Sequence, residues 1–322
     1  MKTNDKERKL IVTVTSSPTQ PSDERIGENG TGIAWRLSMW WTILQTALEE
    51  RLVYRGDFAI GTLMRFLPII TQIFLWSAVF DAIGAQSSVD DAGVSSADDM
   101  TQGLEIGGFG FRDMVAYYLL TMIARAFSSM PGLASGIALQ IREGEIKRYL
   151  IQPIDLIGFL LLTRIAHKLA YYAIAVFPFA LVFYLCRDFF AGGWPPAHVL
   201  VAFIASLIMS FLIGFFFEAA IGMIGFWFLE VSSLLFIFML FSFFLSGHMF
   251  PLTLLPEGVG TFVQLLPFKY LAYFPAAVFL GKIPEDQLAF EMMVQAGWLV
   301  FFIVLCRVGY ARGVKRYSGF GG

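Results

Sequence analysis

The 322-residue chain is 57% hydrophobic and only 15% charged, where soluble domains carry about a quarter. Its 34 phenylalanines could be buried only in lipid or in aggregates, and a formal charge of −2 leaves no basic surface for nucleic acid. The composition is that of an integral membrane protein.

Residues 1–32 are polar, bear Ser, Pro and Gly, and lack sustained periodicity except for the short stretch LIVTVT. They are expected to form a disordered tail. No cleavable signal peptide is legible there, so the first span is expected to act as the insertion signal. The pattern changes over 33–57. Leu37, Trp40, Trp41, Leu44, Leu48 and Leu52 recur at spacings of three and four, with Arg36, Gln45, Glu49, Glu50 and Arg55 outside the stripe. This predicts an amphipathic helix lying in the membrane interface; packing of the stripe on other protein is the alternative.

A hydrocarbon core about 30 Å thick takes about 20 apolar residues per helix. Six stretches meet that length, namely 58–80, 112–134, 160–185, 198–220, 225–247 and 288–309. The fourth and fifth form one apolar block, divided at the glycines of AAIGMIGFW, where a very tight turn is required. The expected fold is therefore an all-α membrane protein with six transmembrane helices over 58–316 and a short tail at 317–322. Of the 23 Lys and Arg residues, seventeen fall in the N-terminal part, the 141–168 region and the C-terminal end, and four on the opposite side. With an even number of spans this bias puts both termini in the cytoplasm. The 82–110 loop fits the outer side, carrying Asp90, Asp91, Asp98, Asp99 and Glu105 without a Lys or Arg.

Two connections stand out. IREGEIKRYLIQPID, residues 141–155, is densely charged for a link between apolar spans. On the other side, 248–281 is apolar, but Pro251, Pro256, Pro267 and Pro275 cut it into pieces too short to cross. Pro256 followed by Glu257 marks a helix start. Two short helices dipping into the outer leaflet are expected there. Such broken backbone persists at membrane depth only when packed on protein or lining a wet cavity.

Recognisable catalytic chemistry is not legible. His167, His198 and His248 are far apart in sequence and lack metal-ligand spacing. There is no G-x-S-x-G elbow and no phosphate-binding loop; Gly281–Lys282 lacks the upstream glycine. Cys186 and Cys306 suggest no disulfide framework. Catalytic, cofactor and metal sites are therefore not expected, and any ATP must be bound by another chain.

Four charges lie in or beside the apolar stretches. Arg65, Glu218 and Glu230 are expected to reach the headgroups, whereas Arg125, more than three turns inside its span, is equally readable as a pathway or ion-pair residue. GLASG, Gly132–Gly136, has the small-residue spacing of close helix contact, or marks a helix end after Pro131. The phenylalanines of FLIGFFF and FIFMLFSFFL read as lipid-facing or core packing rather than as an aromatic drug site.

The order of parts is a polar tail, an interfacial helix, two spans, a charged segment, three spans, a proline-rich pair and a last span. In this order residues 33–316 resemble the permease subunit of type-2 ABC exporters, in its bacterial branch. IREGEIKRYLIQPID matches that branch's pattern of Ile-Arg, a turn with Gly, a Leu-bearing pair and Pro. SGHMFPLTLLPEGVGTFVQLLPFKYLAYFP matches its outer motif. The resemblance implies a chain in the bacterial inner membrane that binds no cofactor and works with ABC ATPase subunits that hold ATP-Mg. It also implies a second permease, identical or related. The implied coupling residues are Glu143, Gly144, Glu145, Ile146, Lys147, Arg148, Tyr149, Leu150 and Pro153, and the implied outer gate contains Phe250, Pro251, Pro256, Phe262, Pro267 and Tyr270. The long acidic 82–110 loop departs from a generic member.

If 145–150 is helical, Ile146, Tyr149 and Leu150 share a face as anchors, with Glu143, Lys147 and Arg148 as a rim. Gly144 would turn the chain and Pro153 would stop the helix. The alternative is a plain positive-inside loop. The expected activity is ATP-driven export of an amphipathic or lipid-like compound. A secondary transporter would show more spans or an inverted repeat, and a membrane-embedded enzyme a catalytic cluster at one interface. Neither is legible.

Overall fold

The computed structural model describes residues 33–52, 55–90, 105–151, 154–190, 193–228 and 230–317. The 1–32 tail, residues 91–104 of the acidic loop, Pro153 and the last five residues lie outside the described residues. Among the described residues the regular structure is helical, without a strand. Helix α1 (Ile33–Leu52) fits the amphipathic pattern but ends before residue 57, and its first part belongs to a separate unit, residues 1–43.

The remaining helices are α2 (Arg55–Asp90), α3 (Phe111–Ser128), α4 (Leu133–Arg142), α5 (Lys147–Leu150), α6 (Leu156–Leu185) and α7 (Ala197–Met223). They are followed by α8 (Ser232–Leu245), α9 (Glu257–Leu265), α10 (Tyr273–Phe279) and α11 (Glu285–Arg316). Among the described residues, four stretches are long and apolar enough to cross a membrane: Phe66–Gly84 within α2, Leu156–Leu185, Ala197–Phe226 and Glu285–Arg316.

The other two expected spans are not single long helices. The stretch 112–134 is interrupted at Ser129–Gly132, where Pro131 has no N–H to continue the ladder. The fifth stretch is reduced to the 14 residues of α8. The chain stays helical to Phe226, past the glycines of AAIGMIGFW, and α8 begins at Ser232. Those glycines have another use. A methyl group on Gly222 would lie 2.9 Å from the Ala134 carbonyl, and one on Gly225 would lie 3.1 Å from the Ala138 Cα. They let α7 and its 3-10 extension (Ile224–Phe226) lie directly against α4, so the chain stays helical through them.

Helix α7 is the centre of the bundle. Half of its most apolar stretch is buried by this chain, against 22% or less in the other three candidate spans. It packs on α3, α4, α10 and α11. The outer faces of α6, α8 and α11 carry exposed apolar side chains such as Phe177, Phe241 and Val304, as lipid-facing helices do.

Two adjacent tyrosines of α3 anchor the chain just beyond α8. The buried Tyr117 hydroxyl donates to the Gly247 carbonyl, and Tyr118 donates to the Met249 carbonyl at 2.7 Å while accepting from Trp76 Nε1 at 2.8 Å. Gly247 has φ +77°, and a Cβ there would lie 2.6 Å from the Tyr273 Cβ, so both conformation and space demand glycine. The proline-rich segment then forms α9 and α10 with 3-10 turns at Leu252–Leu254 and Pro267–Leu271.

The tightest approach in the bundle generates a prediction. A methyl group on Gly214 of α7 would lie 2.0 Å from the Ser128 carbonyl oxygen of α3, whereas one on Gly297 of α11 meets nothing within 4 Å. Gly214→Ala should lower stability by about 2–3 kcal/mol through forced separation of the helices. Gly297→Ala should be neutral or stabilise by about 0.5–1 kcal/mol. Thermal unfolding in detergent measures both.

Candidate functional site

The interruption between α3 and α4 frees backbone groups inside an apolar bundle, where each unpaired group is costly. Side chains of neighbouring helices satisfy them. From α6, Lys168 Nζ donates to the Ser129 carbonyl at 2.7 Å and also to the Ala126 carbonyl. One turn earlier, Arg164 donates to the Pro131 carbonyl at 3.0 Å. From α7, Glu218 accepts the Met130 N–H at 3.3 Å. Expected to reach the headgroups, Glu218 is instead a ligand of the broken backbone, because the missing helical turn offers it a donor. Arg125, in the last turn of α3, lies close enough with Arg164 and Lys168 for all three cations to act on that carboxylate.

The break borders a cavity of about 830 Å³ between α2, α3, α7 and α8. Arg125, Glu218 and residues 128–132 stand in its wall on one side, and Phe236, Met239 and Phe243 on another. Pro68 and Gln72 of α2 and His248 after α8 also line it. Of the two readings open for Arg125, this placement supports the interior one.

The charged segment begins one short helix beyond the break. Gly144, at φ +78°, reverses the chain after α4, and the Ile146 N–H donates back to the Gln140 carbonyl at 3.2 Å. This reversal sends Ile146 into the core, where it is 1% exposed. Helix occupies only Lys147–Leu150, and the expected common face of Ile146, Tyr149 and Leu150 divides. Tyr149 is half-buried, with its ring 5.4 Å from that of Phe159, and only Leu150 points outward. Ile151, which sequence reading passed over, is 84% exposed and extends the apolar tip. Glu143, Glu145, Lys147 and Arg148 are exposed around it; Glu145 and Arg148 pair at 2.9 Å.

Both ends of the segment are tied down. Arg142 lies 3.6 Å from Glu230 in the turn before α8. Hydrogen bonding by Ser232 holds the exposed Glu230 carboxyl below its usual range. At the other end Asp155 caps α6, accepting the Gly158 N–H at 2.9 Å, and its second oxygen accepts from Arg307 of α11 at 2.6 Å. The turn is thus a fixed feature carried by three helices.

The residues of the expected outer gate differ in burial. Pro251, Pro267 and Tyr270 are buried, Phe250 is half-buried, and Pro256 and Phe262 are exposed. Tyr270 donates to Glu291 of α11 at 2.8 Å, and Lys269 pairs with the same carboxylate at 2.9 Å. Ser210 of α7 donates to the Tyr270 carbonyl. Gln295 donates to the Ser206 carbonyl at 3.0 Å and adjoins Ser210 Oγ at 3.3 Å. A buried polar network therefore ties this segment to α7 and the last helix.

Sequence reading missed Arg164, Lys168, Asp155, Arg307 and the Glu291 network as site residues. One signal was available: Arg164 and Lys168 are four apart near the start of a long apolar helix and so share a face. Lys168→Met keeps the length of the stem but strips two buried carbonyls of their donor. It should cost about 3 kcal/mol, read as a lower melting temperature, with faster hydrogen exchange at 129–132 than in α7.

Residues 100–321 match the family model described as ABC-2 family transporter protein. A search of curated proteins finds no match. The matched residues include the break, the cavity wall from α3 onward, the charged turn and the proline-rich segment. The chain belongs to the ABC-2 transporter family.

Proposed function

We propose that this chain is the membrane-spanning subunit of an ATP-driven exporter whose ATPase is a separate polypeptide. The observation that carries the reading, beyond family membership, is the exposed turn at 143–151. It is tied at both ends by Arg142–Glu230 and Asp155–Arg307, and joined through α4 to a broken helix beside a cavity. A subunit that receives force from a partner needs a rigid handle of this kind. It also needs a compliant joint between that handle and the substrate space.

In this reading the six spans are α2, the α3–α4 pair, α6, α7, α8 and α11, with α1 at the interface. Both termini and the turn face the cytoplasm of a bacterial cell. Leu150 and Ile151 are the apolar anchors for a groove on the ATPase, and Glu143, Lys147 and Arg148 form the charged rim that sets register. Ile146 acts from within, holding the turn on its own core. A second permease, identical or related, completes the path. The α9–α10 segment belongs to its outer gate, with Phe262 on the exposed side and Tyr270 as its buried tether. ATP and Mg²⁺ bind and react on the partner, and this chain contributes no nucleotide site. The exported compound is amphipathic.

The test replaces Leu150 and Ile151 together by Ala. Membrane insertion and melting temperature should be unchanged, since neither side chain is packed on the core. Affinity for the partner ATPase, read by co-purification, should fall by about thirtyfold, the equivalent of about 2 kcal/mol for exposed anchors. Transport should fall with it. Unchanged ATPase binding and transport would make the segment a plain positive-inside loop. Robust ATP hydrolysis by this chain alone would contradict the division of labour.

A further inference from the structure

We infer that the cavity beside the broken helix binds an amphipathic anion, its carboxylate or phosphate head toward Arg125 and its apolar body toward α8. The inference deepens the exporter reading. It rests on that reading for the ligand's fate but not for its binding.

Three independent features of the wall point to this chemistry. The first is size and shape. At about 830 Å³ the space is within the range that takes small organic ligands. It has a polar side at α3 and α7 and an apolar side formed by Phe236, Met239 and Phe243 of α8. A ligand of uniform polarity would mismatch one side.

The second is a set of polar atoms without protein partners. Ser128 Oγ, Gln72 Oε1 and His248 Nδ1 are buried, have no hydrogen-bond partner, and all belong to residues of the cavity wall. Ser128 is 3% exposed, so bulk solvent does not reach it readily. A buried hydroxyl without an acceptor is the group an oxyanion head would satisfy. An amide oxygen and an imidazole nitrogen would take the donors of a protonated head or of its hydroxyl groups.

The third is charge. Arg125 and Glu218 share the wall, and Arg164 and Lys168 stand behind the break, near enough to act on Glu218. Among the described residues, three cations lie near enough to act on the one carboxylate of this wall. Lys168 is buried and held on two backbone carbonyls, and Arg164 donates to a third. A positive field in a low-dielectric wall favours an anion and repels an amine. Glu218, already engaged with the Met130 N–H, sits within that cluster and offers a ligand cation no unopposed carboxylate.

The test uses the purified full-length chain in phosphatidylcholine nanodiscs, titrated calorimetrically with decanoate, decyl phosphate, decylamine and decanol against empty discs. Both anions should bind at least tenfold more tightly than the amine and the alcohol. Arg125→Gln should weaken anion binding at least tenfold, whereas Arg125→Lys should keep most of it. Equal affinity for amine and anion, no anion binding above the empty-disc blank, or an Arg125→Gln protein that melts normally and binds decanoate unchanged would overturn the inference. If Arg125→Gln does not fold, the ligand series on the unaltered chain decides. Phosphatidylglycerol in the discs separates two sources of the same head chemistry: competition with decanoate identifies a bilayer lipid, and its absence a dissolved amphiphile. Loss of ATPase partnership with anion binding intact would sink the exporter reading alone. Absent anion binding with coupling intact would sink only this inference.

Discussion

The structure depends on how a helix can be broken inside an apolar bundle. Between Ser128 and Leu133 the chain surrenders helical hydrogen bonds, and neither lipid nor phenylalanine can replace them. Two cations from α6 and one carboxylate from α7 supply the missing partners: Lys168 and Arg164 to three carbonyls, and Glu218 to one amide. Charges that would be expensive in hydrocarbon thereby become the hydrogen-bond partners of the interrupted backbone. The break and its three charged neighbours stand or fall together.

Much else depends on that arrangement. Gly214 presses against the Ser128 carbonyl, and Gly222 and Gly225 press against α4, so α7 lies on both halves of the broken helix without intervening side chains. The cavity opens where the halves diverge. Helix α4 then carries the chain to the Gly144 reversal, with Ile146 plugged into the core and the salt links at Arg142 and Asp155 fixing the base of the turn. The opposite end is built differently. There Tyr117, Tyr118, Tyr270, Glu291 and Gln295 bind the proline-rich segment through buried hydrogen bonds rather than through a joint. In the proposed exporter the contrast is functional: the turn and the break are the responsive end, and the outer segment is the braced one.

The long apolar helices and the short helices of the proline-rich segment were legible because hydrophobic run length and proline position act locally. The six-span count was less so. Pro131 announced a kink, but only tertiary contacts decide whether a kink becomes a four-residue gap. The glycines of AAIGMIGFW were read as a turn because glycine permits turns and close packing alike, and sequence does not say which. Glu218 was misread for a related reason: its donor, the Met130 N–H, exists only because another helix is interrupted. Ile146, Tyr149 and Leu150 do follow the expected spacing, but the Gly144 reversal rotates the first into the core and leaves Ile151 to take its place outside.

In the proposed exporter the break is a joint between the turn and the cavity, and a distance across it reads the motion. Spin labels at Arg112 and Glu143, both exposed and at opposite ends of the α3–α4 pair, report its bend by pulsed electron resonance. With the partner ATPase bound, adding a non-hydrolysable ATP analogue should shift the distance distribution, while a pair within α11, at Gln287 and Arg312, should not move. An unchanged distribution across the break, in a preparation that still exports, would contradict the account.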